Sequence, residues 1–408
     1  MLMLNEEKKL DYQTHVFTST YTADVSGVCS AMYELGGMTI LHDPSGCNST
    51  YSTHDEPRWF DTDSLMFVSG LDEMTAVLGD DNVIIGDVAH AAEALKPRFI
   101  TLCGGSIPHI IAFDYKGVAH LIEKRTGIPV IPVPTDGLKS YVSGVGMALT
   151  NWIKRFADPA ESGWISGGGK APELSVNLLG VTPLDFSVNG NAEALRKAFE
   201  DEGIPVNCCA AMGEDFDSMS HICRAAVNVV VSSAGRRPAR YLERLAGLPR
   251  VEGVPIGDAG AGALAALVRK VYGRRAAGQE TASVSLFAEN PAHGRWSLPE
   301  DQILIIGEEI FAQSLAAAVN RLPASERFNR TAYAIWPDIN MGFPEEYLTA
   351  AMKNASVVIA DPLYKAVPAA RSTCFIDFPH EAYSGRIFRK DIPVFASNQF
   401  DLAGWLNR

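Results

Sequence analysis

The chain has 408 residues, too many for one hydrophobic core, so two or three domains are expected. A formal net charge of −13 excludes a general binder of nucleic acid or of anionic membrane, since both need a basic surface. With 47% hydrophobic and 20% charged residues the sequence is an ordinary globular one, no apolar run is long enough to span a bilayer, and seven cysteines, an odd number, argue against a secreted disulfide framework.

In chain order, residues 1–10 carry Asn5-Glu6-Glu7-Lys8-Lys9 behind four apolar residues. That is too short and too acidic for a signal peptide, so the cytoplasm is the expected compartment. A first block of strands and helices is expected over residues 12–160. Near its start Cys29 precedes Gly36-Gly37, and after the apolar run 38–41 comes His42-Asp43-Pro44-Ser45-Gly46-Cys47. A cysteine flanked by Pro and Gly lies on a tight loop, where backbone amides can face a thiolate or the sulfides of an iron-sulfur cluster. Plain packing is the alternative for a free cysteine. Residues 53–59, Thr-His-Asp-Glu-Pro-Arg-Trp, read either as a solvated turn or as one face of a binding site. Apolar runs at 64–67, 99–102 and 130–133 read as buried parallel strands, and 83–95, 117–126 and 141–156 as helices.

Residues 162–172 contain Ser166-Gly167-Gly168-Gly169 with no Lys-Ser/Thr pair behind it, so a linker is expected rather than a phosphate loop. The second block, 173–275, has expected strands at 175–181, 205–208 and 227–231 and helices at 191–202, 216–223, 238–246 and 262–272. Gly257, Gly260 and Gly262 do not have dinucleotide-loop spacing. A polar connection at 274–299 leads to the third block, 300–408. Its expected strands are 302–307, 332–335, 356–359 and 374–378, with helices at 310–320 and 344–352. Strand-then-helix repetition is the pattern of parallel α/β sheets, whose functional loops lie at the carboxyl ends of the strands.

Several of these segments together resemble the nitrogenase component 1 family. The resemblance rests on Cys29 with its Gly-rich follow-on, the His42–Cys47 loop with Asp43 in place of a glycine, Val77-Leu78-Gly79-Asp80, Lys96-Pro97-Arg98-Phe99-Ile100, Pro255-Ile256-Gly257 and Phe375-Ile376-Asp377-Phe378-Pro379. It implies three Rossmann-like, doubly wound α/β domains. It implies an iron-sulfur cluster, 4Fe-4S or larger, held by Cys29, Cys47 and a third ligand. The third ligand is Cys103, Ser106, which stands at the family's cysteine position without gaps, or neither. His42, Gly46, Gly104 and Ser106 would line the cluster; a satisfied buried histidine is the alternative for His42. The family's active-site cofactor cysteine has no match in 229–235, so a true nitrogenase cofactor subunit is not expected. Cys208, Cys209, Cys223 and Cys374 are expected mainly to pack, and His380 and Glu381 to edge a pocket. By resemblance the chain is a reductase subunit that accepts electrons from a separate ATP-hydrolysing iron-sulfur donor protein, pairs with a second copy or a related subunit to share the cluster, and reduces a small molecule. A non-catalytic assembly scaffold is the rival reading. Neither nucleic acid nor a membrane is an expected partner.

Overall fold

The structure, a computed structural model, describes residues 22–47, 55–279, 283–287, 300–336 and 345–407. The expected start of the first block at residue 12, His54, and much of the 274–299 connection lie outside these residues. Three separate parallel sheets are present, each with helices packed on it, as the strand–helix repetition implies.

The first sheet contains β1 (Met38–His42), β2 (Leu65–Val68), β3 (Ile100–Gly104) and β4 (Val130–Pro132), in the order β2-β1-β3-β4. The second contains β5 (Val176–Leu179), β6 (Val206–Cys209), β7 (Val227–Val230), β8 (Arg250–Glu252) and β9 (Val284–Ser285), ordered β6-β5-β7-β8-β9. The third contains β10 (Gln302–Ile306), β11 (Ala332–Ile335), β12 (Ala355–Ala360) and β13 (Cys374–Asp377), ordered β11-β10-β12-β13. The second strand of each sheet lies outside the first and the third returns on its other side. That reversal makes a crevice at the carboxyl ends of the first and third strands, where open α/β sheets bind ligands.

The central strands β1, β3, β5 and β7 are buried along their whole length, which explains their near-continuous apolar sequence. Around them the helices start and stop where side chains satisfy free backbone groups. The Asp72 side chain accepts from Thr75 N and Asp114 from Lys116 N and Gly117 N. Gly79, Gly127 and Gly247 end their helices in the left-handed conformation.

Helix Tyr141–Phe156 is the spine between the first two sheets. It buries Leu149, Trp152 and Ile153 completely. It crosses helix Asp24–Met32 so closely that a Cβ on Gly144 would stand 1.8 Å from Asp24 O, and one on Gly27 would stand 2.2 Å from Tyr141 O. Only glycine permits that approach.

Several sequence expectations change in detail. Gly257 and Gly260 belong to helix Gly257–Ala276, five residues longer at its start than expected. Part of the expected linker at 162–172 is a short helix, Gly163–Ser166, tied down by Ser162 Oγ donating to Ala246 O and by the Trp164 indole donating to Ala226 O. The 55–59 stretch is not a solvated turn: Glu56 and Arg58 are buried.

Candidate functional site

The carboxyl edge of the first sheet carries the cysteine loop. β1 pairs with β3 so that Leu41 faces Cys103 and His42 faces Gly104. The chain leaves β1 through Asp43-Pro44-Ser45-Gly46-Cys47, a turn closed by Cys47 N donating to Pro44 O at 3.0 Å. Cys47 is exposed and so is Gly46, with open space around it. The neighbouring strand leaves β3 through Gly104-Gly105 into a helical turn that begins at Ser106, half-buried beneath Gly137. Cys47 and Ser106 therefore lie on adjacent strand-end loops of one sheet.

Gly104 is where the chain is most crowded. A Cβ there would meet Tyr115 Oη at 2.4 Å and His42 O at 2.5 Å. Thr135 fixes this strand end by accepting from Gly104 N at 3.0 Å and donating to Gly104 O at 2.6 Å. The next loop is held by Asp24, which accepts from Asp136 N and Gly137 N at 3.1 and 2.9 Å. Burial raises the Asp24 carboxyl to about 6 despite those two donors.

His42 does not face the cysteine loop as a free ligand. Its Nδ1 lies 2.9 Å from Ser69 Oγ and its ring packs on Phe113 at 4.2 Å. Burial lowers its pKa to about 4, so the imidazole is neutral at ordinary pH. Ser69 also accepts from Asp43 N, so His42 braces the start of the loop from below.

Cys29 and Cys103 are placed differently from Cys47. Cys29 lies within helix Asp24–Met32 and Cys103 in β3, and both are fully buried. Their thiols are neighbours, and Cys103 Sγ donates to Ile40 O at 3.6 Å. Burial, then the neighbouring Cys103, pushes the Cys29 thiol well above its ordinary value. Among the described residues no third His, Cys, Asp or Glu joins this pair in a group that could hold a metal ion. Of the three thiols, Cys47 is open to solvent and Cys29 and Cys103 are sealed in the core. Cys47 is the exposed thiol of the three, and the Ser106 hydroxyl lies on the adjacent loop.

Exposed apolar side chains surround this edge. Ile107, Ile110 and Ile111 are 38%, 74% and 40% exposed, and Leu138 is 68% exposed. Met74, Val77 and Leu78 stand out from the helix that follows β2, whose entry is tied to the cysteine loop by Leu71 N donating to Asp43 O. By contrast, the open cleft of about 590 Å³ beside Gly36, Gly37 and Gly213 opens at the amino end of β1, away from this edge.

Residues 27–322 match the family described as nitrogenase component 1 type oxidoreductase. The chain belongs to that family. Among curated proteins it is 26% identical over 247 residues to a light-independent protochlorophyllide reductase subunit of Prosthecochloris aestuarii, covering 59% of this chain and 44% of that protein. It is 35% identical over 226 residues to the protein of the same name from Synechococcus sp., covering 54% and 44%. The chain therefore spans less than half the length of these relatives in the matched region. Among solved structures it superposes on one titled nitrogenase Cp1 at pH 6.5 with a TM-score of 0.62 and 14% identity, over 98% of this chain and 94% of that one. At that identity the likeness speaks to the fold, and three parallel-sheet α/β domains are what it shares. No described helix is long and apolar enough to cross a membrane.

Two features escaped the sequence. One is the buried Arg58, whose guanidinium binds Glu56, Glu34, Ser30 O and Ala211 O and so ties the cysteine-loop segment to the second sheet. Nothing in the sequence marks it as buried. The other is buried Asp185, contacted by Tyr141 and His380 where the second and third sheets meet; strand-end position was the signal that could have found it.

Proposed function

We propose that this chain is one subunit of a reductase: it accepts single electrons from a separate ATP-hydrolysing iron-sulfur donor protein and passes them to a small-molecule substrate. The observation that carries the reading is the pairing, inside the family-matched span, of an exposed Cys47 with Ser106 on the next strand-end loop, ringed by exposed apolar side chains. An iron-sulfur cluster bound there would supply a one-electron store. Cys47 would be this chain's thiolate and Ser106 a second, harder oxygen donor. The remaining ligands would come from a second copy or a related subunit seated on the apolar ring. Cys29 and Cys103 serve as a packed thiol pair under the loop, and His42 and Gly104 hold the two strand ends in register. The sequence carries no phosphate-binding loop, so ATP hydrolysis belongs to the donor. The similar proteins named as reductase subunits favour turnover over a scaffold.

Iron and acid-labile sulfide, measured after oxygen-free purification, test this. Wild-type protein and the Cys29→Ala and Cys103→Ala variants should retain iron, whereas Cys47→Ala should lose it and Ser106→Ala should lower it. Iron-free wild-type protein, or full iron in Cys47→Ala, overturns the reading.

A further inference from the structure

An open cleft of about 770 Å³ lies where the second and third domains face each other, far from the cysteine edge in the fold. Thr331 and Asn320 line it, and Asn320 binds Ala332, the first residue of β11. The cleft is therefore at the amino end of that strand, the opposite end from the crevices where open α/β sheets bind their ligands. Helix Gly257–Ala276 forms one wall, helix Glu309–Arg321 another, and the edge strand β9 with Leu286 behind it a third.

The space exists because the facing helix positions are small. Ala263, Ala266 and Lys270 share one face of the first helix, and Ala317 and Arg321 one face of the second. Alanine at three of these positions leaves room where a larger apolar side chain would close the gap. Hydrogen bonds inside the protein fix the walls. Asn320 accepts from Ala332 N at 2.8 Å and donates to Ala332 O at 2.9 Å. Leu286 N donates to Glu252 O at 2.8 Å, and Arg321 donates to Leu286 O at 3.3 Å, joining the third domain to the second.

Charge sets this cleft apart from the rest of the chain. The protein carries −13 overall, yet the described residues lining the cleft include Lys270, Arg321 and Arg327 and no acid. The nearby Arg269 and Arg330 are each engaged, by Glu202 and by Asp301. Lys270 and Arg327 pair with no described carboxylate. The Arg327 guanidinium donates to Leu322 O at 3.2 Å and to Arg330 O, two carbonyls that orient it and leave its charge uncompensated. Arg321 ends its own helix, where a cation ordinarily offsets the helix dipole. Lys270 lies more than a turn before the end of its helix, so the dipole does not account for it. An apolar cleft of roughly 300–1,000 Å³ with a few convergent charges is the ordinary form of a small-molecule site.

We propose that this cleft binds an amphiphilic carboxylate, with its apolar body against Ala263, Ala266, Ala317 and Leu286 and its carboxylate facing Lys270 and Arg327. The site is separate from the Cys47 edge and does not depend on the reductase reading. Its ligand touches both domains, so binding stabilises the folded chain as ligand concentration rises above the dissociation constant.

Decanoate is the probe, read by its displacement of the fluorescent dye anilinonaphthalene sulfonate from the full chain. Decanoate should displace the dye and raise the melting temperature, whereas decanol and decylamine at equal concentration should do neither. Lys270→Gln should weaken displacement about tenfold, as expected for one lost charge-assisted contact. Ala266→Leu should abolish it by filling the space. Arg269→Gln, which removes a cation that Glu202 already engages, should leave it unchanged. Ile110→Asp should also leave it unchanged, which separates the cleft from the apolar ring beside Cys47. Residues 266, 269 and 270 are all exposed, so the fold does not rest on them, and melting of each variant checks that. A dye signal that decanoate does not displace, or that decanol displaces equally, overturns the proposal. So does decanoate binding that survives both Lys270→Gln and Ala266→Leu, or that Ile110→Asp abolishes.

Discussion

His42 has the clearest consequence at the scale of a single residue. Its folded pKa of about 4 lies below the unfolded value near 6.5, so the unfolded chain takes up a proton that the folded imidazole refuses. Its contribution to stability is present above pH 6.5 and is lost as pH falls toward 4, a total on the order of 3 kcal/mol. Asp24 has the opposite sign. Its carboxyl is raised to about 6, so the folded state takes up a proton first and recovers stability as pH falls from about 6 toward 3.8. The two effects oppose each other in the same window. The His42 ring resonance followed by NMR should titrate with a midpoint near 4, and His42→Gln should remove the stability loss between pH 6.5 and 5. A midpoint near 6.5 would show that the ring is not sealed between Ser69 and Phe113. The residue types at this edge were legible in the sequence, but their environments were not. Cys29 and Cys47 are both cysteines near glycines. One points into the core from a helix and the other sits on an open turn, and that difference depends on how helix Asp24–Met32 packs on β3.

Among the elements, the crossing of helices Asp24–Met32 and Tyr141–Phe156 carries the arrangement, because it sets both Asp24 under the 136–137 loop and Tyr141 against Asp185. Gly144→Ala would drive a methyl into the Asp24 carbonyl and should cost at least about 2 kcal/mol in a denaturant titration. Gly273→Ala, in a helix with open space around it, should instead stabilise by about 0.5–1 kcal/mol. Equal effects would mean that the helices do not cross this closely. The strands of the third sheet were readable from their apolar runs to within a residue or two: β11 falls on 332–335 as expected. β8 and β9, three and two residues long, were not, because so short a strand leaves no periodic signal. Gly257 and Gly260 hid the first turns of a helix, since glycine ordinarily argues against one.

On the scale of the whole molecule, the three-sheet architecture followed from strand–helix alternation, whereas the meeting of Asp185 and His380 did not. They stand far apart in the chain, and only the docking of the second sheet on the third brings them together. The apolar ring of Ile107, Ile110, Ile111 and Leu138 predicts a subunit contact. Wild-type protein should sediment as a dimer or bind a related subunit, and Ile110→Asp should leave a folded monomer with an unchanged melting temperature. A monomeric wild type that binds no related subunit would remove the shared-cluster arrangement. The central claim is that the edge carrying Cys47, not the buried Cys29–Cys103 pair, holds the metal group, and alkylation read by mass spectrometry tests it most directly. In oxygen-free, iron-containing protein Cys374 should be alkylated while Cys47 is protected, and chelation should expose Cys47 while Cys29 and Cys103 stay unmodified. Full alkylation of Cys47 with the iron still bound would contradict the account.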